Sequence, residues 1–341
     1  MKFGVFDHLD AGGGSLGALY ENRLRLAEAY DRIGIHALHV AEHHATPLGM
    51  APSPSVFLAA VAQRTQRLRF GPMVYVSPTY PRLRLLEEIG MLDQMSGGRL
   101  ELAFGRGALA AELRFFDVDP GEADKRNQEA IAFVLEALRE GAVTVGEEGG
   151  KKRRLPLAVP ALQKPHPPLW YGVHSPQSAE RAARAGMNVM TLDWAAHMRT
   201  CTDRFRAVWA EEHGDRALPR IGLARLVYVD RSAAEARRIA ARAYRRWHAS
   251  FNYLSSLMGF KHLRPRPERF EEIMEDGRAF AGTPDAVAEF VQKQTAEAGA
   301  NYFVGQFAFG DLALEETLRS VGLFAAEVMP MLRDRRSQCV S

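Results

Sequence analysis

Short apolar runs alternate with longer amphipathic segments along almost the whole chain. In the longer segments apolar residues recur every three or four positions, as at Leu24, Ala27, Tyr30 and Ile33, which is the spacing of a helix with one buried face. The short runs are mostly continuous in apolar character, which is typical of parallel strands buried on both faces. We predict strands at residues 2–6, 37–41, 68–74, 100–105, 168–173, 187–192, 221–229 and 302–307.

The ends of the predicted helices carry the residue types expected of helix termini. Gly34 follows the first helix, and glycine adopts the left-handed backbone conformation of a helix stop most readily. Thr283, Pro284 and Asp285 open the last predicted helix as a cap, a first-turn proline and an acidic residue. These signals support the alternation of strands and helices.

Eight strands that alternate with helices predict a (β/α)8 barrel, the TIM-barrel form of the α/β class. A chain of 341 residues is long enough for one such barrel with insertions. Residues 141–167 and residues 251–282 interrupt the alternation, and neither stretch separates two independent apolar cores. We therefore expect a single domain over residues 1–341, in which residues 251–282 form an insertion that can act as a lid.

Composition and charge narrow the class of protein. The chain is 47% hydrophobic and 25% charged, as in globular proteins, and its net charge of +3 does not indicate a nucleic-acid partner. No apolar window approaches a membrane span, and the start MKFGVFDH lacks the apolar run of a signal peptide. Cys201 and Cys339 form no C-x-x-C pair, which fits a reducing compartment. We expect a cytoplasmic protein without a membrane partner.

In a barrel of this type the catalytic groups gather at the C-terminal ends of the strands. The predicted strand ends carry aromatic and polar side chains together with one arginine. Such a mouth suits a flat anionic ligand. The residues at these ends are Phe6, Asp7, His8, Glu42, His43, His44, Met73, Val74, Tyr75, Gly105, Arg106, Gly107, His174, Ser175, Asp193, Trp194, Asp230 and Phe307.

The stretch from His39 to His44 reads HVAEHH and contains H-x-x-E-H, the pattern of one class of zinc peptidase. That pattern binds zinc when it lies on a helix, but here the predicted helix ends at Gly34 and a strand follows. In a strand, His39 and His43 would lie about 13 Å apart, too far for one tetrahedral ion. We therefore expect no metal site. His39 fits a histidine satisfied within the barrel wall, whereas His43 falls at the mouth.

Residues 12–17 read GGGSLG and match the G-x-G-x-x-G fingerprint of dinucleotide-binding folds. A strand precedes them, a helix follows, and Glu42 ends the next strand, all as the fingerprint requires. However, five residues separate Phe6 from Gly12, whereas the fingerprint has its first glycine directly after the strand. A glycine-rich loop over the barrel mouth therefore explains the segment better than a dinucleotide site does.

The most specific stretch, residues 92–107, reads LDQMSGGRLELAFGRG. It joins a helix end, a tight glycine turn and a strand that finishes in Gly-Arg-Gly. Arg106 is a planar, bidentate donor between glycines that let a ligand approach the backbone, which suits a phosphate. A surface arginine without a ligand is the alternative, and the residue type alone does not separate the two.

The sequence resembles the flavin-dependent luciferase-like monooxygenases, typified by bacterial luciferase, over most of its length. The resemblance rests on MKFGVF, on the unit that ends in AEHH, and on VYVSPTYPRLRLLEEIGMLDQMSGGRLELAFGRG. Further matches are WYGVHSPQSAERAARAG, GTPDAVAEFV and the closing VMPML. The resemblance implies a (β/α)8 barrel that takes reduced FMN from a separate flavin reductase. With O2, the flavin would form a C4a-hydroperoxide that oxygenates a small-molecule substrate.

The resemblance also implies roles for individual residues. The first histidine of EHH is His43, the expected catalytic residue, beside the reacting edge of the flavin, where an imidazole can transfer a proton. His44 should matter less, because adjacent residues of a strand point to opposite faces. Arg106 and Ser175 match phosphate ligands, and Met73–Val74 matches a non-proline cis peptide beneath the flavin ring. The expected cofactor-binding residues are Phe6, Met73, Val74, Arg106, Gly107, His174, Ser175, Pro176 and Trp194.

One position departs from the family pattern. The light-emitting luciferase subunit has a cysteine just before the phosphate arginine, where this chain has Gly105, which puts light emission in doubt and predicts more room over the ring. Two alternative functions stay open, a deazaflavin-dependent oxidoreductase and a non-catalytic flavin-binding barrel. The Gly-Arg-Gly sequence favours FMN, and the presence of both His43 and Arg106 favours catalysis. Walls formed by Phe6, Met73 and Tyr75 predict an apolar substrate.

The family further implies a homodimer in which helices on one side of the barrel pair. The predicted helix at residues 81–95 carries Leu83, Leu86, Ile89 and Met91 around its surface. One stripe that faces the barrel would not use all four. A second apolar contact, with another copy of the chain, is therefore expected.

Overall fold

Strands and helices alternate along the chain. The computed structural model describes residues 1–146, 150–262 and 264–337. The strands are β1 (Lys2–Asp7), β2 (Ala37–Val40), β3 (Arg69–Pro72), β4 (Tyr75–Val76), β5 (Leu102–Gly105), β6 (Ala142–Gly146), β7 (Lys152–Pro156), β8 (Leu169–Gly172), β9 (Asn188–Thr191), β10 (Ile221–Val229), β11 (Ala279–Gly282) and β12 (Tyr302–Gln306). The helices are α1 (Leu16–Ile33), α2 (Pro54–Arg64), α3 (Arg82–Met95), α4 (Ala110–Arg114), α5 (Ala123–Glu140), α6 (Pro176–Arg184), α7 (Ala195–His213), α8 (Ala233–Met258), α9 (Phe270–Glu275), α10 (Pro284–Ala298), α11 (Leu314–Leu323) and α12 (Met329–Ser337), with a π-helical turn at Phe324–Val328.

Nine of the strands form a nearly closed parallel barrel. Hydrogen bonds join them in the order β3-β2-β1-β12-β10-β9-β8-β5-β4. A parallel bridge between Phe70 and Leu100 joins β3 to the residues just before β5 and brings the two ends of the sheet together. Every strand expected from the apolar runs lies in this barrel. The predicted TIM-barrel class, as a single domain, is therefore confirmed.

The structure differs from the predicted strands in three places. The run at residues 68–74 is not one strand, because β3 ends at Pro72 and the two-residue β4 follows the Met73–Val74 peptide. Strand β11, at the end of the 251–282 stretch, pairs with the second half of β10. Strands β6 and β7 form an antiparallel hairpin within the 141–167 stretch, and residues 147–149 of that stretch lie outside the described residues. The β6–β7 hairpin has no apolar run to detect, because β7 reads KRRLP and is exposed along its whole length.

Large side chains fill the barrel interior. Trp170 and Tyr302 are almost fully buried there, together with Met190 and Val304. The ring of Tyr302 occupies the space beside Gly4, where an added Cβ would lie 1.8 Å from the Tyr302 hydroxyl. The barrel interior is thus a packed core and not a channel.

The helix termini and the glycine-rich loop follow the sequence signals. Helix α1 ends at Gly34, whose φ is 78°, and Thr283 is the residue before α10, although its side chain makes no capping hydrogen bond. The GGGSLG segment is a loop between β1 and α1, and Ser15 caps that helix by accepting the N–H of Ala18. A Cβ at Gly12 would lie 2.4 Å from the Gly310 carbonyl oxygen, so Gly12 allows this loop to pack on the loop after β12.

Two observations concern the chain as a whole. No helix of the described part is long and apolar enough to cross a membrane. Cys201 is buried and free, and Cys339 lies outside the described residues.

Candidate active site

Strand neighbours determine which side chains meet at the barrel mouth. Strands β2 and β3 are paired, β3 is bridged to the start of β5, and β5 pairs with β8. One half of the mouth therefore carries His43, Met73–Val74, Arg106 and Ser175 in that order. The other half lies over β9, β10, β12 and β1, which follow around the ring.

His43 is paired with a carboxylate that no sequence motif indicated. Its Nδ1 lies 3.1 Å from Oε1 of Glu112, on the short helix α4, and the same oxygen accepts the backbone N–H of His44 at 2.8 Å. Burial disfavours the charged carboxylate, but the hydrogen bond from His43 and its charge hold the pKa of Glu112 below its ordinary value. An ionised Glu112 fixes the proton on Nδ1 and leaves Nε2 of His43 for the mouth.

His44 is engaged with a different carboxylate. Its Nε2 lies 3.0 Å from Oε1 of Glu42, whose other oxygen accepts the Val76 N–H and the Tyr80 hydroxyl. The expectation that His44 is turned away by strand alternation was wrong in its premise, because β2 ends at Val40 and both histidines lie in the following loop. Through Glu42, His44 connects that loop to β4 and to Tyr80 just beyond it, so its role is structural.

His8 joins this group, although no motif singled it out. Its ring stacks on that of His43, with centroids 5.8 Å apart, and packs edge-on against Phe6. The side-chain amide of Gln306 lies 3.1 Å from Nδ1 of His8. Burial, followed by the nearby charges of His43 and Arg266, lowers the pKa of His8 well below its ordinary value. His8 is therefore a neutral imidazole beside His43.

Arg106 stands at the end of β5 with its guanidinium exposed to solvent. Within the described ranges it makes no hydrogen bond or ion pair, so its five donors are available. Gly107 follows with a φ of 88°, and an added Cβ would lie 3.1 Å from both Leu113 and Val76. The backbone here is thus open to a ligand only because the residue is glycine.

The neighbouring strand end supplies a helix N-terminus. Ser175 caps α6, its hydroxyl accepts the Ser178 N–H at 3.2 Å, and Pro176 is the first helical residue. Free N–H groups and the helix dipole make such a terminus a site for anions. Because β5 and β8 are paired, this terminus lies beside Arg106, and the two together suit a phosphate.

His174 and Trp194 are held by residues of the 251–282 stretch. Nδ1 of His174 lies 2.8 Å from Asp193, and Arg264 contacts both the other oxygen of Asp193, at 2.9 Å, and the His174 carbonyl oxygen. Burial opposes ionisation of Asp193, yet these partners keep its pKa below the ordinary value. The guanidinium of Arg278 lies 4.4 Å from the ring centre of Trp194 and covers one face of the indole.

The Met73–Val74 peptide is cis, as the resemblance implied, and both residues are partly exposed. The expectation of extra room at Gly105 was wrong, because a Cβ there would lie 2.4 Å from Cγ2 of Val74, which already fills the space.

Tyr75, predicted to line the mouth, does not do so. It is fully buried, with its hydroxyl 2.9 Å from that of Ser55, while Phe6 packs inside the barrel top.

His39 is a histidine of the barrel wall, as its strand position suggested. It is fully buried, its Nε2 lies 3.2 Å from the Tyr302 hydroxyl, and its ring packs edge-on against Trp170. Burial lowers the pKa of His39 to about 4, so the ring is neutral. In the described ranges no group of three or more His, Cys, Asp or Glu side chains is arranged to hold a metal ion.

Comparison with known proteins finds relatives along the whole chain. A protein-family model described as luciferase-like monooxygenase matches residues 1–302. The uncharacterized protein y4wF of Sinorhizobium fredii is 40% identical over 332 residues, 96% of each chain. The oxygenase component of the flavin-dependent trigonelline monooxygenase of Acinetobacter baylyi is 31% identical over 193 residues, 55% of this chain and 53% of that protein.

Solved structures extend the comparison to the fold. Monooxygenase RslO1 from Streptomyces bottropensis has a TM-score of 0.85 at 28% identity and covers 97% of this chain and 99% of its own. The FMN complex of the oxygenating constituent of 3,6-diketocamphane monooxygenase from Pseudomonas putida reaches 0.76 at 17%, covering 97% and 98%. The coenzyme F420 dependent tetrahydromethanopterin reductase of Methanopyrus kandleri reaches 0.68 at 16%, covering 97% and 100%. The last two likenesses show the fold alone.

Proposed function

Because the chain belongs to the luciferase-like monooxygenase family, we propose that it is the FMN-dependent oxygenase component of a two-component monooxygenase. A separate flavin reductase would deliver reduced FMN, and the substrates would be O2 and a small organic molecule. Reduced FMN supplies the electrons that activate O2 for transfer of one oxygen atom to the substrate. The similarity to the trigonelline relative, which is an oxygenase component, supports this arrangement.

The observation that carries the proposal is the pair of anion-binding elements at one side of the mouth. Arg106 has an exposed guanidinium with no partner in the described ranges, and α6 begins on the adjacent strand end with Ser175 as its cap. Together they would hold the phosphate group of FMN. The partly exposed Met73–Val74 segment would support the flavin ring between this phosphate site and His43.

The protein's own residues would then do three things. Arg106 and the N-terminus of α6 orient the cofactor, so that its ring lies across the strand ends towards His43. Nε2 of His43, held by the bond from Nδ1 to Glu112, exchanges a proton with the reacting oxygen. Apolar groups such as Phe6 and Val74 exclude water from the reacting atoms, which limits wasteful release of hydrogen peroxide.

A deazaflavin-dependent oxidoreductase is the second candidate, because the F420 reductase shares the fold. Such an enzyme would transfer hydride without O2. The free guanidinium beside a helix N-terminus favours a cofactor that ends in a phosphate, and His43 with its ionised partner favours proton transfer to oxygen. A non-catalytic flavin-binding barrel would have no need of the His43–Glu112 pair.

One experiment tests the two catalytic candidates together. The protein is titrated without oxygen with photoreduced FMN and, separately, with reduced coenzyme F420, and each complex is then mixed with O2. We expect reduced FMN to bind more tightly and the protein to change the rate of its reoxidation relative to free FMN. Tighter binding of F420, with no effect of the protein on FMN reoxidation, would reject the oxygenase proposal.

A further inference from the structure

The half of the mouth opposite Arg106 contains a small cavity over β9, β10 and β12, with room for about one water molecule. Apolar side chains form most of its wall, namely those of Leu192, Ala224, Leu226, Trp247 and Ile273. Three polar side chains, those of Arg266, Arg278 and Gln306, complete the lining. The cavity adjoins the reacting residues, because Gln306 also contacts His8, whose ring stacks on that of His43.

Arg266 is the unusual member of this wall. Its guanidinium has no hydrogen bond or ion pair anywhere in the described part of the chain. Burial and the nearby charge of Arg278 lower the pKa of Arg266 to about 10. The two carboxylates close enough to influence Arg266, those of Asp193 and Asp276, each form an ion pair with a different arginine. Asp276 is bonded to Arg278, and Asp193 is bonded to Arg264.

A partly buried cation without a partner costs stability, since its lost hydration is not replaced. A ligand that brings a negative charge to Arg266 would offset this cost. The mostly apolar lining disfavours a strongly hydrated ligand. Because Arg278 is paired with Asp276, Arg266 is the guanidinium of this lining without a carboxylate partner among the described residues, and a ligand with a single negative charge would supply that partner. A carboxylate also fits the planar, bidentate geometry of a guanidinium.

We propose that the substrate is a small organic carboxylate with an apolar body, that Arg266 binds its carboxylate group at this cavity, and that the apolar body lies outside the cavity. The inference rests on the proposed function, since it concerns what the site beside His43 oxidises. It replaces the purely apolar substrate that the sequence suggested. The carboxylate would be bound at the end of the molecule remote from the reacting carbon, and the apolar body would extend towards His8 and His43.

Binding of matched probes tests this without any need for turnover. The protein is titrated, both with and without FMN, with 4-fluorobenzoate and with 4-fluorobenzamide, its neutral isostere, and binding is followed by fluorine NMR. The aliphatic pair hexanoate and hexanamide is then measured by displacement of the bound fluorinated probe. We expect the carboxylates to bind about tenfold or more tightly than the amides, because only the anion forms charge-assisted bonds to Arg266. Equal binding of the two members in both pairs, or no binding by either carboxylate, would overturn the proposal.

Two variants assign the preference to a residue. Arg266→Gln should remove the preference for the carboxylates and leave the affinities for FMN and riboflavin at their parent values. Arg269→Gln, which changes an exposed arginine of the same segment, should behave as the parent does. Retained preference in Arg266→Gln, or weaker flavin binding with an unchanged carboxylate preference, would show that Arg266 has another task.

Thermal stability separates ligand binding from a structural role. Without carboxylate, Arg266→Gln should melt at the same temperature as the parent or higher, because the variant removes an unpaired charge. A lower melting temperature would mark Arg266 as structural and contradict the proposal. Should this variant fail to fold, Arg266→Lys, which keeps the charge, must preserve part of the preference. The FMN and O2 experiment can fail while the carboxylate preference persists, so the two proposals are tested separately.

Discussion

At the scale of single residues, the pairing of His43 with Glu112 determines what the imidazole can do. A free imidazole exchanges between two tautomers, whereas a ring that donates Nδ1–H to an ionised carboxylate presents Nε2 as the reactive nitrogen. Glu112 also accepts the His44 N–H, which fixes the loop that carries both histidines. Glu112 is therefore a positioning residue, and its effect should appear in how efficiently oxygen reaches the substrate.

Replacing Glu112 by Gln tests this role. The amide keeps the shape but lacks the charge, so His43 should lose its fixed tautomer, and the ratio of oxygenated product to hydrogen peroxide should fall by about tenfold. General acid–base catalysis typically raises the reaction rate by about 10²–10⁴-fold. His43→Ala should lose most of this increase in the rate of product formation. Both variants should bind reduced FMN as the parent does, and the exposed Glu136→Gln is the matched control. An unchanged product ratio in Glu112→Gln would contradict the assignment.

Arg106 should contribute to FMN binding only through the phosphate. A bidentate arginine–phosphate contact is worth roughly 1.5–3 kcal/mol, so Arg106→Ala should weaken reduced FMN about ten- to a hundredfold. Riboflavin has no phosphate and should bind the parent and the variant alike, as measured by anaerobic fluorescence titration. Arg114→Ala, at another exposed arginine nearby, serves as the control. Equal losses for FMN and riboflavin would mean that Arg106 contacts the ring and not the phosphate.

At the scale of elements, a buried acidic cluster ties the first strand to the last one. Arg23 of α1 lies 3.1 Å from Asp7 at the end of β1 and 3.6 Å from Asp10 in the loop that follows. Asp10 also accepts the Gly310 N–H, beyond β12, at 2.6 Å. One arginine cannot neutralise two buried carboxylates, and burial, opposed in part by Arg23, raises the pKa of Asp10 to about 7.

The raised pKa makes stability depend on pH in a definite direction. Between its ordinary value of 3.8 and about 7, Asp10 is protonated in the folded protein and ionised in the unfolded chain. The folded state therefore binds more protons, and the free energy of unfolding from this group falls as pH rises through that window, by at most about 1.4 kcal/mol per pH unit. Asp10→Asn mimics the protonated acid. In urea unfolding, the free energy of unfolding of the variant should therefore rise relative to that of the parent between pH 4 and pH 7. Parallel curves, or an equal gain in the exposed Asp203→Asn, would contradict this.

The 251–282 stretch contacts the strand ends through Arg264, and we propose that it closes the mouth as a lid. The ion pair from Arg264 to Asp193 is its link to the cofactor side of the barrel. Arg264→Ala should speed amide hydrogen exchange in the segment between α8 and α9 and leave the barrel strands unchanged. Arg269→Ala, at an exposed position of the same segment, should leave exchange there at the parent rate. Unchanged exchange in Arg264→Ala would mean that other contacts hold the segment closed.

At the scale of the whole molecule, α2 and α3 carry exposed apolar side chains that the barrel does not cover. Val56 is 73% exposed, Met91 52% and Leu83 40%, whereas Leu86 and Ile89 of the same helix α3 are buried. The outer residues are therefore free to contact a second copy, as the family resemblance implies.

The double variant Leu83→Glu/Met91→Glu should convert a homodimer into monomers, because charges in an apolar interface lose their hydration. Light scattering at micromolar concentration measures the mass, and the melting temperature checks that the barrel remains folded. Leu155→Glu, at an exposed leucine on the β6–β7 hairpin, should leave the dimer intact. A monomeric parent protein would remove the inference altogether.

The sequence by itself determined the barrel and its mouth. Apolar periodicity is a local property, so the runs that became β1, β2, β5, β8, β9, β10 and β12 were visible before any contact was known. Because parallel barrel strands all end at one face, their terminal residues, among them His43 and Arg106, were expected to face a common mouth. Helix stops such as Gly34 are equally local.

Only the tertiary structure decided which of those side chains act together. His43 and Glu112 are 69 positions apart, and they meet because β2 and β5 lie on neighbouring parts of the ring while α4 folds back over the mouth. Arg266 carries no motif, and its lack of a partner follows from the engagement of Asp193 and Asp276 with other arginines. Hydrogen bonds and ion pairs depend on distances of a few ångströms between remote segments, and residue spacing along the chain does not encode those distances.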